Sequence, residues 1–128
     1  MIVGVGTDLL EVSRVKTCLD AGLSAFFRRA YSLAEQEEAD GRADKARYYA
    51  SRFAGKEAVL KCLGAVPEHL RWSELEILSG EHGAPFVRLS GQCLALARSR
   101  GIQRIHLSLS SDTGRVIAFA VAEGETDG

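Results

Sequence analysis

The sequence predicts a single α+β domain, residues 1–128, in which antiparallel hairpins pack on one long helix. Three observations carry that expectation. Tyr49, Phe53, Leu60 and Leu63 fall at steps of three, four and seven, which describes a helix over residues 46–63 with one buried face. Two later stretches alternate apolar and polar residues on either side of turn-forming segments, which describes two hairpins. With 128 residues and 46% hydrophobic content, the chain has the size and composition of one domain with one core.

The elements follow in order. Residues 2–5 form a short buried strand ending in Gly6-Thr7-Asp8, after which Leu9, Leu10, Val12, Val15 and Leu19 recur at helical spacing. Asp8 is therefore expected in a loop or at a helix start, where an aspartate ordinarily serves as an N-cap. Residues 24–47 mix aromatics with dense charge, predicting short helices and a solvated loop around Gly41. Gly64 and Pro67 stop the long helix. Leu75 and Ile77 alternate with Glu74 and Glu76, Ser79 to Pro85 turns the chain, and Phe86 to Leu89 returns as the second strand. A helix over 92–100 closes at Gly101. Ile105, Leu107 and Leu109 then lead through Ser111-Asp112-Thr113-Gly114 into Val116 to Val121. The acidic residues 123–128 are expected to fray.

Composition excludes several classes. Sixteen basic and seventeen acidic side chains leave a net charge of -1, so no global field draws the protein to nucleic acid or to a membrane surface. The three cysteines, Cys18, Cys62 and Cys93, are scattered in apolar stretches and suit a reducing compartment better than a zinc site or disulfide framework. No segment approaches the roughly 18 apolar residues of a membrane span, and no basic leader opens the sequence. A soluble, cytoplasmic protein is expected.

Chemistry concentrates on the long helix, which carries Arg52, Lys56, Glu57 and Lys61. Residues four apart stack, so Arg52 lies near Lys56 and Glu57 near Lys61, predicting two polar columns on one side of the helix. Alone, Glu57 and Lys61 read as an exposed ion pair worth about 0.3–0.5 kcal/mol. Gly55, however, costs a helix about 1 kcal/mol relative to alanine, which implies that something approaches the backbone there. Asp8 and Glu57 together offer two hard oxygen ligands from separate elements, the usual protein share of a magnesium site completed by phosphate and water.

Gly4-Val5-Gly6-Thr7-Asp8-Leu9-Leu10-Glu11-Val12, then Arg52-Phe53-Ala54-Gly55-Lys56-Glu57-Ala58-Val59-Leu60-Lys61, then Ser108-Leu109-Ser110, resemble the holo-[acyl-carrier-protein] synthases. These are short 4'-phosphopantetheinyl transferases. The resemblance runs along nearly the whole chain in order. Gly83-Ala84-Pro85 resembles the family's turn between strands, and Gly64 the glycine after its long helix.

The resemblance implies the 4'-phosphopantetheinyl transferase fold and the transfer of the phosphopantetheine arm of coenzyme A to a serine of apo-acyl carrier protein. Released 3',5'-ADP would be the second product, and fatty-acid or polyketide synthesis would use the first. It implies that Asp8 and Glu57 ligate Mg2+ with the pyrophosphate, and that Lys61 contacts the reacting phosphate. Arg52 resembles the arginine near the nucleotide's phosphate-rich end, and the resemblance places Lys56 in the same coenzyme-binding motif. Arg14 is similar to the arginine through which the family grips its acidic carrier protein, and Lys16, Arg28 and Arg29 could extend that patch, with ordinary solvated cations as the plain alternative for all four. The base that takes the serine proton is open between Glu57 and a water on the metal. The family forms homotrimers with active sites at subunit interfaces.

One departure stands out. A histidine often follows the family's Ser-x-Ser stretch, where this chain has Ser111. Ser110 and Ser111 are then candidate coenzyme-phosphate contacts, with turn formation as the plain alternative. His106 is assigned no catalytic role. Two other readings remain at this point: a coenzyme A or nucleotide-binding subunit without catalysis, and a structural domain whose charges are surface pairs.

Overall fold

The computed structural model describes residues 1–125. Five strands and five helices follow one another: β1 (Ile2–Glu11), α1 (Val12–Asp20), α2 (Ser24–Ala30), α3 (Leu33–Asp40), α4 (Lys45–Leu63), β2 (Leu75–Ser79), β3 (Pro85–Leu89), α5 (Gly91–Ser99), β4 (Ile102–Ser111) and β5 (Arg115–Gly124). The strands form two antiparallel sheets, β1-β5-β4 and β2-β3. Both hairpins therefore form where the turn residues predict them.

The long helix is central. Asp44 caps α4 by accepting from the Arg47 backbone N–H at 3.1 Å, and Gly64, at φ 76°, ends it in the left-handed conformation that glycine adopts without strain. Thirteen of its 19 residues are buried, so α4 is enclosed on nearly every side rather than along one face. Small residues make this enclosure compact: Ala54 and Ala58 of α4 share a fully buried core with Ala118, Ala120 and Ala122 of β5. Gly55 belongs to the same packing. A Cβ there would stand 2.5 Å from Ile77 Cδ1, so what approaches this backbone is β2 and not a ligand.

β1 corrects the expectation for the first segment. Its pairing with β5 runs to Glu11↔Arg115, so Asp8, Leu9 and Leu10 lie within the strand. The helix starts only at Val12 and has Glu11, without a side-chain cap bond, at its N-cap. Asp8 is therefore no helix cap. Pairing along a ten-residue partner strand outweighs a local apolar spacing that fits a helix equally well. Gly4 and Gly6 lie on the α4 side of β1, where a Cβ would run into the backbone carbonyls of Cys62 and Ala58. Strand period two puts Asp8 on that same face.

The closing segment also differs. Glu123 and Gly124 are part of β5, and the Gly124 N–H donates to the Met1 carbonyl at 2.9 Å. The expected fraying of 126–128 lies outside the described residues. All three cysteines are free, with Cys62 and Cys93 buried.

Candidate active site

The side of α4 facing β1 carries three charged groups with little compensation. Asp8 projects from β1 toward α4, its side chain 22% exposed, and Lys61 reaches over from the helix with Nζ 3.6 Å from Asp8 Oδ1. Lys61 Nζ also donates to the Thr7 carbonyl at 2.6 Å. Its partners are thus on β1, and the Glu57–Lys61 pair of an isolated helix does not form. Glu57 is half-buried, and among the described residues its carboxylate makes no hydrogen bond. Burial, and after it the charge of Asp8, push the Glu57 carboxyl above its ordinary range, against the pull of Lys61. Two carboxylates thus stand close enough to repel, one of them without a hydrogen-bond donor, with the Lys61 ammonium beside them.

The other side of α4 corrects the expectation that the four charges share a face. Arg52 and Lys56 point away from β1. Lys56 is fully buried, and its ammonium donates to Glu35 Oε1 at 2.8 Å, the Trp72 carbonyl at 3.1 Å and the Leu75 carbonyl at 2.6 Å. An ammonium has three donors, and all three are taken inside the protein, so Lys56 has none left for a coenzyme. Burial holds its pKa below the ordinary lysine value, although Glu35 pulls the other way.

Arg52 is also buried but is less completely satisfied. It donates to Ser79 Oγ at 2.8 Å and Ser51 Oγ at 3.2 Å, and its guanidinium lies 4.3 Å over the Tyr48 ring. Its Nε has no partner among the described residues. Glu38 stands 3.6 Å away, held by the Ser79 N–H and the Tyr48 hydroxyl. Glu35 and Glu38, expected in solvated structure, are thus docked on β2. Their signal in the sequence is Ser32-x-x-Glu35, a capping box that fixes where α3 begins.

Ser110, Ser111 and His106 are not brought to Asp8 within this chain. Ser110 pairs with Ile117, which is 45% exposed, whereas the next pair inward, Leu109↔Ala118, has its alanine fully buried. Ser110 therefore belongs to the sheet face turned away from α4. His106 lies on that face too, 3.3 Å from Glu123. The same face presents Val5, Leu9, Ile117 and Phe119, each between 45% and 58% exposed. Arg14, Lys16, Arg28 and Arg29 are exposed on α1 and α2. Arg28 and Arg29 border a cleft of about 520 Å³ that also takes in Phe26, Trp72 and Arg71, a third arginine the sequence reading did not include. No helix is long and apolar enough to cross a membrane among the described residues.

Residues 4–120 match the family model described as the 4'-phosphopantetheinyl transferase superfamily. The chain is 41% identical over 127 residues to the holo-[acyl-carrier-protein] synthase of Anaeromyxobacter dehalogenans, covering 97% of this chain and 98% of that one. Its fold superposes on the holo-ACP-synthase of Plasmodium yoelii with a TM-score of 0.85, at 32% identity and 98% coverage of both chains. A Helicobacter pylori holo-[acyl-carrier-protein] synthase solved with coenzyme A superposes at 0.80, with 28% identity, over 93% of this chain and 99% of that one. The chain belongs to the 4'-phosphopantetheinyl transferase superfamily, and within it to the holo-[acyl-carrier-protein] synthase family of enzymes.

Proposed function

We propose that this enzyme moves the 4'-phosphopantetheine group of coenzyme A onto a serine of an apo-acyl carrier protein, releasing 3',5'-ADP, with Mg2+ held by Asp8 and Glu57. The observation that carries the reading is the half-buried Glu57 carboxylate without a donor, facing Asp8 with Lys61 beside it. The donor set fits magnesium: two hard carboxylates from the protein, with phosphate and water oxygens left to complete an octahedron. Bound there, the ion would neutralise the pyrophosphate and polarise the attacked phosphorus.

The protein groups divide the rest of the work. A bond forms from the serine oxygen to phosphorus while the bond to the 3',5'-ADP oxygen breaks, and negative charge gathers on the leaving phosphate. Lys61, half-exposed and tethered to the Thr7 carbonyl, is placed to meet that charge. The resemblance gives Arg52 the nucleotide's phosphate-rich end; its unpaired Nε is itself buried, so that atom is not the one that would reach a phosphate. Lys56 has no part in binding.

The exposed Val5, Leu9, Ile117 and Phe119 on one sheet face support assembly as a homotrimer. In a head-to-tail ring, Ser110 and Ser111 of one copy would line the coenzyme pocket of the next. Arg14, with Lys16, Arg28 and Arg29, offers the acidic carrier protein a basic landing surface. Three free cysteines support a reducing, cytoplasmic setting.

Mass spectrometry of an apo carrier protein incubated with coenzyme A, Mg2+ and this enzyme tests the reading. The carrier should gain one phosphopantetheine, and a chelator should abolish the gain. Coenzyme A binding without any gain would leave a non-catalytic binding subunit instead. Transfer that survives chelation would remove the metal assignment alone.

A further inference from the structure

Lys56 and Glu35 form a buried ion pair for which the transfer chemistry has no direct use. The Lys56 ammonium joins three elements at once: Glu35 of α3, the Trp72 carbonyl before β2, and the Leu75 carbonyl of β2. Glu35 completes the junction by accepting from the Ser32 backbone N–H at 2.9 Å and from the Ile77 N–H at 3.0 Å. Both side chains are 0% exposed, and each polar atom points at a partner with fixed geometry. Such a pair is weak support for stability in itself, because the cost of desolvating two charges offsets most of their attraction. It is, however, strongly directional.

Direction is what the middle of α4 lacks on the side that faces the large sheet, between the Arg52–Ser79 bond and the Lys61–Thr7 bond. Around Ala54 and Ala58 its contact with the large sheet is made by small residues, Ala118, Ala120 and Ala122 of β5 and Gly6 of β1, while Val59, Leu60, Cys62 and Leu63 bring larger side chains to the core only beyond that point. Small side chains permit close approach but offer few knobs to stop the helix turning about its own axis. One residue along a helix is a turn of about 100°. Lys56 anchored toward β2 therefore sends the next residue, Glu57, toward β1 and Asp8.

We infer that the Lys56–Glu35 pair is a positioning device that sets the rotation of α4 and so aims Glu57 at Asp8. This rests on the reading of Asp8 and Glu57 as metal ligands. Removing the ammonium lets α4 turn or shift by a fraction of an ångström, enough to spoil a two-carboxylate site while the fold survives.

Binding of Mn2+ to the full chain in the presence of coenzyme A, followed by electron paramagnetic resonance, tests it. Lys56 touches neither ligand, so its effect is expected at the low end of what loss of a supporting residue costs a metal site, about 10-fold weaker Mn2+ binding for Lys56→Met, measured at a temperature where its circular dichroism is native. Phe27→Leu, a truncation in the aromatic cluster, should lower the melting temperature and leave Mn2+ affinity unchanged, which separates aiming from general loosening. A folded Lys56→Met that binds Mn2+ like the parent overturns the inference. Should that variant not fold, Glu35→Gln is judged by the same two outcomes. A parent chain that binds no Mn2+ defeats the metal reading itself, and the positioning role falls with it.

Discussion

The two sides of α4 carry charges of the same kinds in opposite states. Toward β2, Lys56 and Glu35 are completely buried and matched donor to acceptor. Toward β1, Asp8 and Glu57 repel one another, Glu57 has no donor, and Lys61 remains 54% exposed. Matched, buried charge specifies structure. Charge left unmatched at the surface costs folding free energy and persists where a ligand will supply the missing partner. Lys56, Glu57 and Lys61 of one helix therefore divide between matched and unmatched charge, although the sequence writes them as one motif.

The comparison breaks most visibly if the front of the helix proves structural. Asp8→Ala or Glu57→Ala should cut the rate of carrier-protein modification by at least ~10²-fold, the scale of losing a main electrostatic contributor at a reacting centre. Neither should lower the melting temperature, since each removes one of two repelling carboxylates. A parallel fall in activity and melting temperature would contradict the division.

Lys56→Met, unlike either of those, should lower stability in chemical denaturation as well as disturb the site. Stripping one partner from a buried pair leaves Glu35 uncompensated, for an expected loss of about 3–5 kcal/mol read from the denaturation midpoint. A midpoint equal to the parent's would show that the back of the helix tolerates loss of its charge.

The smallest effect is a difference in the sign of pH dependence, measured as melting temperature against pH with chelator present. Burial works against ionisation of Glu38, but the Ser79 N–H and the Tyr48 hydroxyl outweigh it and hold the carboxyl below its ordinary 4.5. Its folded value is depressed, so its stabilising contribution is present above pH 4.5 and is lost as pH falls through the folded value. Glu57, raised above 4.5, contributes in the opposite sense: what it adds below pH 4.5 is lost as pH rises through that window. Glu38→Gln should therefore soften the acid-side decline, and Glu57→Gln the decline on the way up. Equal slopes in both variants would erase the distinction between the two sides.

Much of the fold was legible because local chemistry and tertiary structure agree there. Gly64 ends α4, the Ser79–Pro85 and Ser111–Gly114 turns make the two hairpins, and Gly101 follows α5. The first segment was misread because Leu9, Leu10, Val12, Val15 and Leu19 satisfy a helical spacing while Gly4, Gly6 and Asp8 satisfy a strand's, and only pairing with β5 decides between them. Of the site, Asp8, Glu57 and Lys61 were identified and do converge. Lys56 was placed with them because spacing by four gives columns but not their azimuth, and an alanine-rich helix buried on nearly all sides has no apolar stripe to supply it. Glu35 and Glu38 read as solvated because five acidic residues between positions 35 and 44 look like a wet surface until β2 is laid against them.

By itself the sequence determined the family, the order of the main elements and three charged groups that the fold brings together, Asp8, Glu57 and Lys61, because these follow from turn residues, periodicity and a motif read along the chain. Tertiary structure alone decided which charges are buried. A charge is matched or unmatched only by what distant segments bring to it: α3 and β2 bring Glu35 and backbone carbonyls to Lys56, while β1, kept close by two glycines, brings Asp8 to Glu57.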